Sequence, residues 1–332
     1  MKRRARALAF ANIALIKYWG KAGPENSPAT PSIALTLEAL RTETMVEAIA
    51  SGDDTVELNG ATAAPELRER VAAYLDEWRK PGLLTGAVRV SSVNHFPTAA
   101  GLASSASGYA ALSVALDGIS EAHLTMRQLS RLARLGSGSA ARSIAGGLAA
   151  LPLGNDPAAH CLLTASQVPW AMVLCLVDAA PKAVSSRAGM EHCRTTSPYY
   201  PAWLRQARHD YSRMLDAIRH MKQDVQAGSR EMLSEVGELM EASCLAMHAC
   251  MLAARPPLAY WSPATLEVIA AVRRWRADSV AAYFTIDAGP HVALLCLRED
   301  AALVSQLASQ VAGVQQVIVS MPGGPARVIE VQ

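Results

Sequence analysis

The feature that most constrains the fold is a strand that runs into a loop of small residues and then into a helix. The strand is GAVRVSSV, residues 86–93, and the loop NHFPTAAGLAS leads to a helix predicted over residues 104–119. Small side chains leave backbone N–H groups accessible at the positive end of a helix, so this segment can hold an anion such as phosphate. Gly101 permits backbone conformations that other residues resist. Hydroxyl groups come from Ser104, Ser105 and Ser107.

The same composition also suits a helix N-terminus that packs small residues against a neighbouring helix, and the residues alone leave both interpretations open. The loop is not a Walker A motif, because no Gly-Lys-Ser/Thr follows it. A second small-residue segment, RLGSGSAARSIAGG, spans residues 134–147 and carries Arg142 shortly after two Gly-Ser units. Its guanidinium can bind a carboxylate through two parallel hydrogen bonds, although a surface turn is the commoner role of such a segment.

Two charged residues follow apolar strands. Asp287 comes directly after YFTI in YFTIDAGPHV, and Lys17 comes directly after ANIALI, with Tyr18 and Lys21 close behind it. An Asx-turn explains the aspartate, and an exposed strand end explains the lysines. The functional alternative is a carboxylate that faces a cleft, together with cations placed for an anionic substrate.

The order of the predicted elements indicates an α+β fold with two lobes. Strands are predicted at residues 6–16 and 33–49, and long amphipathic helices dominate from residue 209 onwards. The elements are mixed without the regular alternation of a doubly wound sheet. The chain texture changes near residues 180–200, so we assign residues 1–185 to the first lobe and residues 186–332 to the second.

Composition excludes several classes of protein. The 332 residues carry a net charge of +2, so no overall field favours nucleic acid. Asn12 and Lys17 interrupt the apolar stretch after the basic N-terminus, which predicts a buried first strand rather than a signal peptide. No apolar stretch is long enough to predict a membrane span.

Six cysteines without a CxxC pair predict free thiols in a reducing compartment, that is, the cytoplasm. Cys244, His248 and Cys250 could suggest a zinc site. That interpretation is disfavoured, because positions 244 and 250 do not share one face of a helix.

Five motifs in one order resemble the diphosphomevalonate decarboxylase family: ANIALIKYWGK, FPTAAGLASSASGYAAL, RLGSGSAARSIAGG, VSSRAGM and YFTIDAGP. The resemblance extends from residue 6 to residue 331 and is to the shorter bacterial form. It implies the two-lobed GHMP kinase fold, with a ribosomal protein S5 domain 2-like N-terminal lobe and a ferredoxin-like C-terminal lobe. It also implies a homodimer that uses ATP and Mg²⁺ to convert mevalonate 5-diphosphate into isopentenyl diphosphate, in the mevalonate pathway of isoprenoid synthesis.

The resemblance also implies roles for individual residues. Asp287 would orient or deprotonate the C3 hydroxyl, with Lys17 close to it, and Arg142 would hold the C1 carboxylate. Mg²⁺ would be held through ATP rather than by a protein cage, with Ser105 as the candidate protein contact. The implied substrate-binding residues are Tyr18, Lys21, Ser137, Ser139, Ser186 and Arg187. Of these, the residues that would hold the diphosphate tail are Tyr18, Lys21, Ser186 and Arg187. The implied nucleotide-binding residues are Pro97, Ala100, Gly101, Ala103, Ser104, Ser105 and Ser107.

Several positions depart from the family pattern and keep the substrate preference open. The enzymatic alternatives are decarboxylation of mevalonate 5-phosphate and phosphorylation of the C3 hydroxyl without elimination. A ligand sensor on the kinase fold is the non-enzymatic alternative, which retention of Lys17, Arg142 and Asp287 disfavours. The departures are Thr30, Pro31, Ala34, Leu135 and His291.

Overall fold

The computed structural model describes residues 3–23, 25–97, 104–120, 122–177, 184–223 and 229–332, without the side chains of residues 222 and 223. The strands of the described residues are β1 (Arg4–Ile16), β2 (Ser32–Ile49), β3 (Thr55–Leu58), β4 (Ala61–Thr62), β5 (Ala87–Asn94), β6 (Leu148–Leu151), β7 (His160–Leu163), β8 (Trp170–Leu176), β9 (Ala282–Thr285), β10 (Val292–Leu297), β11 (Gln316–Ser320) and β12 (Arg327–Val331). The helices are α1 (Pro65–Arg79), α2 (Ser104–Ser120), α3 (Met126–Gly136), α4 (Ala140–Ala145), α5 (Ser186–Thr196), α6 (Tyr200–Gln223), α7 (Arg230–Leu252), α8 (Pro263–Ala277) and α9 (Ala301–Ser309).

The larger sheet has the strand order β12-β1-β2-β5-β3-β4, with β6 paired to β2 and β7 paired to β6. Its two long strands, β1 and β2, pair antiparallel, and α2 packs across both of them. The helix lies so close to the sheet that a Cβ on Gly118 would stand 2.8 Å from the Cβ of Ala5. Close packing therefore requires a small residue at this point of α2, far from the loop at its N-terminus.

The smaller sheet has the strand order β11-β8-β10-β9, and its neighbouring strands are antiparallel. Strand β8 is buried along its whole length. Met172 and Leu174 belong to one apolar cluster, and Val173 and Cys175 belong to another. Because both faces of this strand are covered, its sequence is a continuous apolar run rather than an alternating one.

The structure confirms the predicted α+β class and many of the predicted elements. The helix after the small-residue loop begins at Ser104, and α8 follows the N-cap Ser262 with Pro263 in its first turn. The buried first strand is confirmed as β1. The sequence pattern does not predict α4 or α5, and α5 occupies part of the stretch near residues 180–200 that we expected to connect the lobes.

Each sheet contains strands from both sides of the predicted lobe boundary between residues 185 and 186. Strand β8 lies before this boundary but pairs with β10 and β11, which follow it. Strand β12 lies near the end of the chain but pairs with β1. The division into residues 1–185 and 186–332 stays a prediction about lobes, and neither sheet is built from one side of it alone.

Searching the described residues for a helix with the length and apolar character of a membrane span finds none. The six cysteines are free thiols; Cys161 is exposed and the other five are buried. Burial fits their positions in apolar runs of sequence.

Candidate active site

A cleft of about 580 Å³ gathers most of the residues that the sequence analysis singled out. The cleft is formed by the ends of β1 and β9, the N-terminal turns of α2 and α5, and the Gly-Ser segment between α3 and α4. Its walls include Asn12, Tyr18, Lys21, Asn26, Arg70, Ser104, Ser105, Ser137, Ser139, Arg142, Ser186, Arg187 and Asp287.

An ion pair between Lys17 and Asp287 stands at one end of this cleft. Lys17 follows the last residue of β1, and Asp287 comes two residues after the end of β9. The distance from Lys17 Nζ to Asp287 Oδ1 is 2.5 Å; the lysine side chain is 1% exposed and the aspartate side chain 36% exposed. The ammonium is therefore enclosed by protein, while the carboxylate keeps a face open to a ligand. A carboxylate held in this way can orient a hydroxyl group or accept its proton.

Arg142 is held rigidly beside this pair. It lies on α4 and is 2% exposed. Its Nη1 donates to Ser32 Oγ at 2.6 Å, and its Nε and Nη2 donate to Asn12 Oδ1 at 3.3 and 3.2 Å. These bonds use three of the five N–H groups of a guanidinium and fix its plane, so the remaining donors are aimed before any ligand arrives.

The charge of Arg142 is linked to that of Asp287. Burial lowers the pKa of Arg142 to about 10, and the negative charge of Asp287 opposes this shift, as does Tyr18. The guanidinium therefore stays protonated at neutral pH. The guanidinium carbon also lies 5.8 Å from the centre of the Tyr18 ring, which connects this end of the cleft with the other.

The Gly-Ser segment supplies a row of hydroxyl groups. Ser105 Oγ lies 3.3 Å from Ser137 Oγ, and Ser137 Oγ lies 3.2 Å from Ser139 Oγ. The row leads from the N-terminal turn of α2 towards Arg142. Gly138 is needed between the two serines because a Cβ there would lie 2.3 Å from the Tyr18 hydroxyl oxygen.

The predicted nucleotide-binding residues do not all lie in the same place. Ser104 and Ser105 line the cleft. Ser107 does not reach it: this residue is fully buried, and its hydroxyl lies 2.7 Å from Thr42 Oγ1. Pro97 is exposed and is not part of the cleft wall. Ala100, Gly101 and Ala103 lie outside the described residues.

The other end of the cleft carries the residues expected to hold a diphosphate tail. Lys21 Nζ donates to Asn26 Oδ1 at 2.5 Å, and the Tyr18 hydroxyl donates to the carbonyl of Asn26 at 3.2 Å. Ser186 and Arg187 lie in the first turn of α5, whose N-cap is Ser185. Backbone N–H groups at such a helix N-terminus favour an anion.

The electrostatics of this end are positive. The pKa of Lys21 is lowered to about 8, first by burial and then by the positive charges of Arg187 and Arg70. Burial raises the pKa of Tyr18 to about 12, against the opposing charges of Arg142, Arg134 and Arg187, so the phenol stays a hydrogen-bond donor at neutral pH. An anion bound here would relieve the repulsion among the cations.

The sequence analysis missed several cleft residues, among them Asn12, Asn26 and Arg70. Asn12 anchors Arg142, and its only signal was that it interrupts an apolar strand. Asn26 holds Tyr18 and Lys21 in place, and it lies in a turn with no distinguishing pattern. Arg70 is an exposed residue of α1, where a cation on the polar face of an amphipathic helix carries no local signal.

Two of the departures from the family pattern have structural partners. Thr30 is buried, and its Oγ1 accepts from the backbone N–H of Trp19 at 3.3 Å and donates to the carbonyl of Lys17 at 3.4 Å. His291 Nδ1 accepts from the backbone N–H of Val177 at 3.2 Å. Thr30 therefore contacts the backbone next to Lys17, and His291 contacts the backbone at the end of β8 in the smaller sheet.

The cysteine and histidine residues of α7 face different parts of the molecule. Cys244 and His248 contact the backbone of Ile286, whereas Cys250 contacts Ser197. Among the described residues, no group of three His, Cys, Asp or Glu side chains is arranged to hold a metal ion.

Comparison with known proteins agrees with this geometry over nearly the whole chain. Residues 9–163 match the family model for the diphosphomevalonate decarboxylase-like N-terminal domain, and residues 172–327 match the model for the mevalonate 5-diphosphate decarboxylase C-terminal domain. The diphosphomevalonate decarboxylase of Schizosaccharomyces pombe is 35% identical, over 88% of this chain and 78% of its own length. The Homo sapiens enzyme of the same name is 34% identical, over 88% and 76%.

Solved structures give the same result. The mevalonate diphosphate decarboxylase of Staphylococcus aureus superposes with a TM-score of 0.90 at 35% identity, covering 99% of both chains. The enzyme of that name from Enterococcus faecalis, described with a mevalonate diphosphate mediated ATP binding mechanism, gives 0.89 at 37% identity, covering 99% of this chain and 100% of its own. A further structure, a complex with MVAPP, AMPPCP and magnesium, also gives 0.89 at 37% identity, with the same coverage.

Proposed function

The chain belongs to the diphosphomevalonate decarboxylase family, and we propose from that premise how its cleft works. The reaction is the ATP-dependent decarboxylation of mevalonate 5-diphosphate to isopentenyl diphosphate. The observation that supports it most directly is the convergence of Asp287, Arg142 and Lys21 on one cleft, since the substrate presents a hydroxyl, a carboxylate and a diphosphate to be held by three such groups.

The reacting end of the substrate would lie against Lys17, Arg142 and Asp287. Asp287 accepts the proton of the C3 hydroxyl while Lys17 holds the carboxylate in place. Arg142 directs its remaining N–H groups at the C1 carboxylate. Ser137 and Ser139 add hydroxyl groups beside it.

The reaction then proceeds through an ordinary elimination. Bound ATP with Mg²⁺ supplies the phosphoryl group that turns the C3 hydroxyl into a leaving group. The C3–O bond breaks with its electron pair on the departing phosphate. The C1–C2 bond breaks next, so that C1 leaves as CO₂ and its electron pair forms the double bond between C2 and C3. Arg142 holds the C1 carboxylate in position until that step.

Residues of this chain suit the binding of ATP and Mg²⁺. Ser104 and Ser105 open α2 within the cleft, where the helix N-terminus favours phosphate. Burial, and then the positive charges of Arg187 and Arg70, lower the pKa of Lys21, and bound phosphate groups would offset the repulsion among these cations. We assign Mg²⁺ to the phosphates of ATP, with Ser105 as the candidate protein contact. Pro97, Ala100, Gly101 and Ala103 stay proposed nucleotide contacts, whereas the buried hydroxyl of Ser107 lies against Thr42 on β2.

The diphosphate tail would be held by Tyr18, Lys21, Ser186 and Arg187. All four line the cleft, and their donors come from two different segments of the chain. Asn26 and Arg70, which sequence patterns did not indicate, join this group as a support for Lys21 and as an additional cation.

We also propose a cytoplasmic homodimer that binds no nucleic acid. The net charge of +2 supports the last point. Strand β12 ends the larger sheet, and Val328, Ile329 and Val331 on it are exposed, which gives a second copy an apolar surface to cover. Sedimentation of the protein at several concentrations tests self-association.

One assay tests the proposed function against its alternatives. The protein is incubated with ATP, Mg²⁺ and either mevalonate, its 5-phosphate or its 5-diphosphate, and release of both ADP and CO₂ is measured. Equal amounts of ADP and CO₂ from the 5-diphosphate alone are expected. CO₂ from the 5-phosphate identifies a monophosphate decarboxylase, ADP without CO₂ identifies a 3-kinase, and binding without either product identifies a sensor.

A further inference from the structure

Helix α7 runs behind the Lys17–Asp287 pair and touches the backbone on both sides of it. The contacts come from three buried side chains within six residues of the helix: Ser243, Cys244 and His248. The described residues that line the cleft include none of these three.

The peptide groups that precede Asp287 are held by two of these side chains. The N–H of Ile286 donates to Cys244 Sγ at 3.2 Å. The carbonyl of Ile286 accepts from His248 Nε2 at 3.2 Å and from the Cys244 thiol at 3.6 Å. Positions 244 and 248 are one turn apart and so share a face of α7. Ile286 lies one residue beyond the paired residues of β9, so side chains replace the strand ladder at this point.

His248 is neutral and carries its proton on Nε2. Burial lowers its pKa to about 4, and a neutral imidazole that bonds to a carbonyl oxygen must donate from that nitrogen. The ring of Trp261 packs against it, with the two ring centres 4.8 Å apart. The donor is thus fixed in both orientation and protonation state.

The lysine of the pair is held from the same turn of α7. The N–H of Lys17 donates to Ser243 Oγ at 3.1 Å, and Ser243 is fully buried. One short stretch of helix therefore fixes the backbone that leads to each member of the ion pair, although the two members follow strands of different sheets.

We propose that Cys244 and His248 are positioning residues that set the orientation of the Asp287 carboxylate through the Ile286 peptide. Ser243 does the same for Lys17. This inference rests on the proposed function, in which Asp287 meets the C3 hydroxyl. Because these side chains do not touch the substrate, their loss affects the rate of the chemical step more than substrate affinity.

The test compares matched variants of α7. His248→Ala is expected to lower kcat about thirtyfold to a hundredfold, the scale of a misplacement near 1 Å, while the KM values for ATP and the diphosphate stay within about threefold, since Arg142 and Lys21 do not move. His248→Gln keeps an N–H donor at a similar position and is expected to restore most of the rate. Cys244→Ala is expected to lower kcat about tenfold, because a thiol is the weaker partner.

Cys250→Ala is the matched control. It removes a buried thiol from the same helix, but one that contacts Ser197 rather than Ile286, and its kcat is expected to stay near that of the unmodified protein. Equal rate losses in Cys244→Ala and Cys250→Ala, or parallel losses of kcat and affinity in His248→Ala without rescue by His248→Gln, would overturn the proposal. If His248→Ala does not fold, the Cys244 and Cys250 pair still decides.

A crystal structure of Cys244→Ala or His248→Ala gives a result that does not depend on turnover. We expect the contact between Lys17 and Asp287 to lengthen while the bonds of Arg142 to Asn12 and Ser32 persist. An unchanged ion pair would refute the inference even in a protein that does not decarboxylate mevalonate 5-diphosphate, whereas failure of the unmodified protein in the product assay refutes the proposed function alone.

Discussion

Lys17 and Lys21 are four residues apart in the segment that follows β1, yet they lie in opposite surroundings. Lys17 is 1% exposed and bonded to Asp287. Lys21 is half-buried, and its pKa is lowered to about 8, first by burial and then by the positive charges of Arg187 and Arg70. The first cation has its counter-charge inside the protein. The second is surrounded by charges of its own sign, so an incoming anion must supply the balance.

The two ends of the cleft differ in the same way as the two lysines. The end with Lys17 and Arg142 has buried cations that are hydrogen-bonded before a ligand arrives, as pre-organised catalysis requires. The end with Lys21 and Arg187 is more exposed and carries an excess of positive charge, as recruitment of an anionic ligand requires. Substitutions at the first end should therefore act on the rate, and substitutions at the second end on affinity.

The largest effect is expected at Asp287. Asp287→Asn keeps the shape but removes the negative charge and the proton acceptor, so kcat should fall by roughly three to four orders of magnitude, the upper range for loss of a general base. Binding of an ATP analogue, measured by calorimetry, should change little. A comparable loss of nucleotide binding would show that the aspartate shapes the cleft instead.

A smaller but large loss of rate is expected for Arg142→Lys. An ammonium cannot bond Asn12 and Ser32 and also present a fork to a carboxylate, so kcat should fall about a hundredfold although the charge is kept. Steady-state kinetics with the 5-diphosphate measure this. Ordinary kinetics in this variant would remove Arg142 from the reaction end.

At the other end, Lys21 should control affinity through pH. The ammonium loses its proton as pH rises through about 8, so the KM for the 5-diphosphate should increase about tenfold between pH 7 and pH 9, as expected for one lost charge. Lys21→Arg stays protonated and should flatten this increase at nearly constant kcat. An identical increase in the variant would assign the titration to another group.

The smallest effect is expected at the junction of the two ends. In Gly138→Ala the new Cβ meets the Tyr18 hydroxyl oxygen at 2.3 Å, so the Tyr18 ring must shift from its position in the cleft. Overpacking of this kind costs about 1–3 kcal/mol, and we expect KM to rise about threefold to fivefold with a lowered melting temperature. Gly108→Ala, where an added Cβ meets open space, is the control on a neighbouring helix.

Local patterns predicted much of the fold and part of the site. Strand β1 has a clear apolar pattern, and helix α8 has an N-cap serine and a proline in its first turn. Asp287 was found because it follows an apolar strand. Pairing of β8 with β10 is a contact between distant residues and leaves no local signal. Helix α5 was missed because its polar residues resemble a linker. Ser107 was predicted to bind nucleotide although its hydroxyl is buried, because composition cannot tell which side of a helix a hydroxyl faces.

The bond between Lys17 and Asp287 joins the larger sheet to the smaller one, because Lys17 follows β1 and Asp287 follows β9. Neither sheet by itself holds both members of this ion pair. Mild denaturant or a small molecule wedged between the sheets should silence turnover while circular dichroism still reports intact secondary structure. Loss of turnover would then detect relative movement of the two sheets before any measurement of unfolding does.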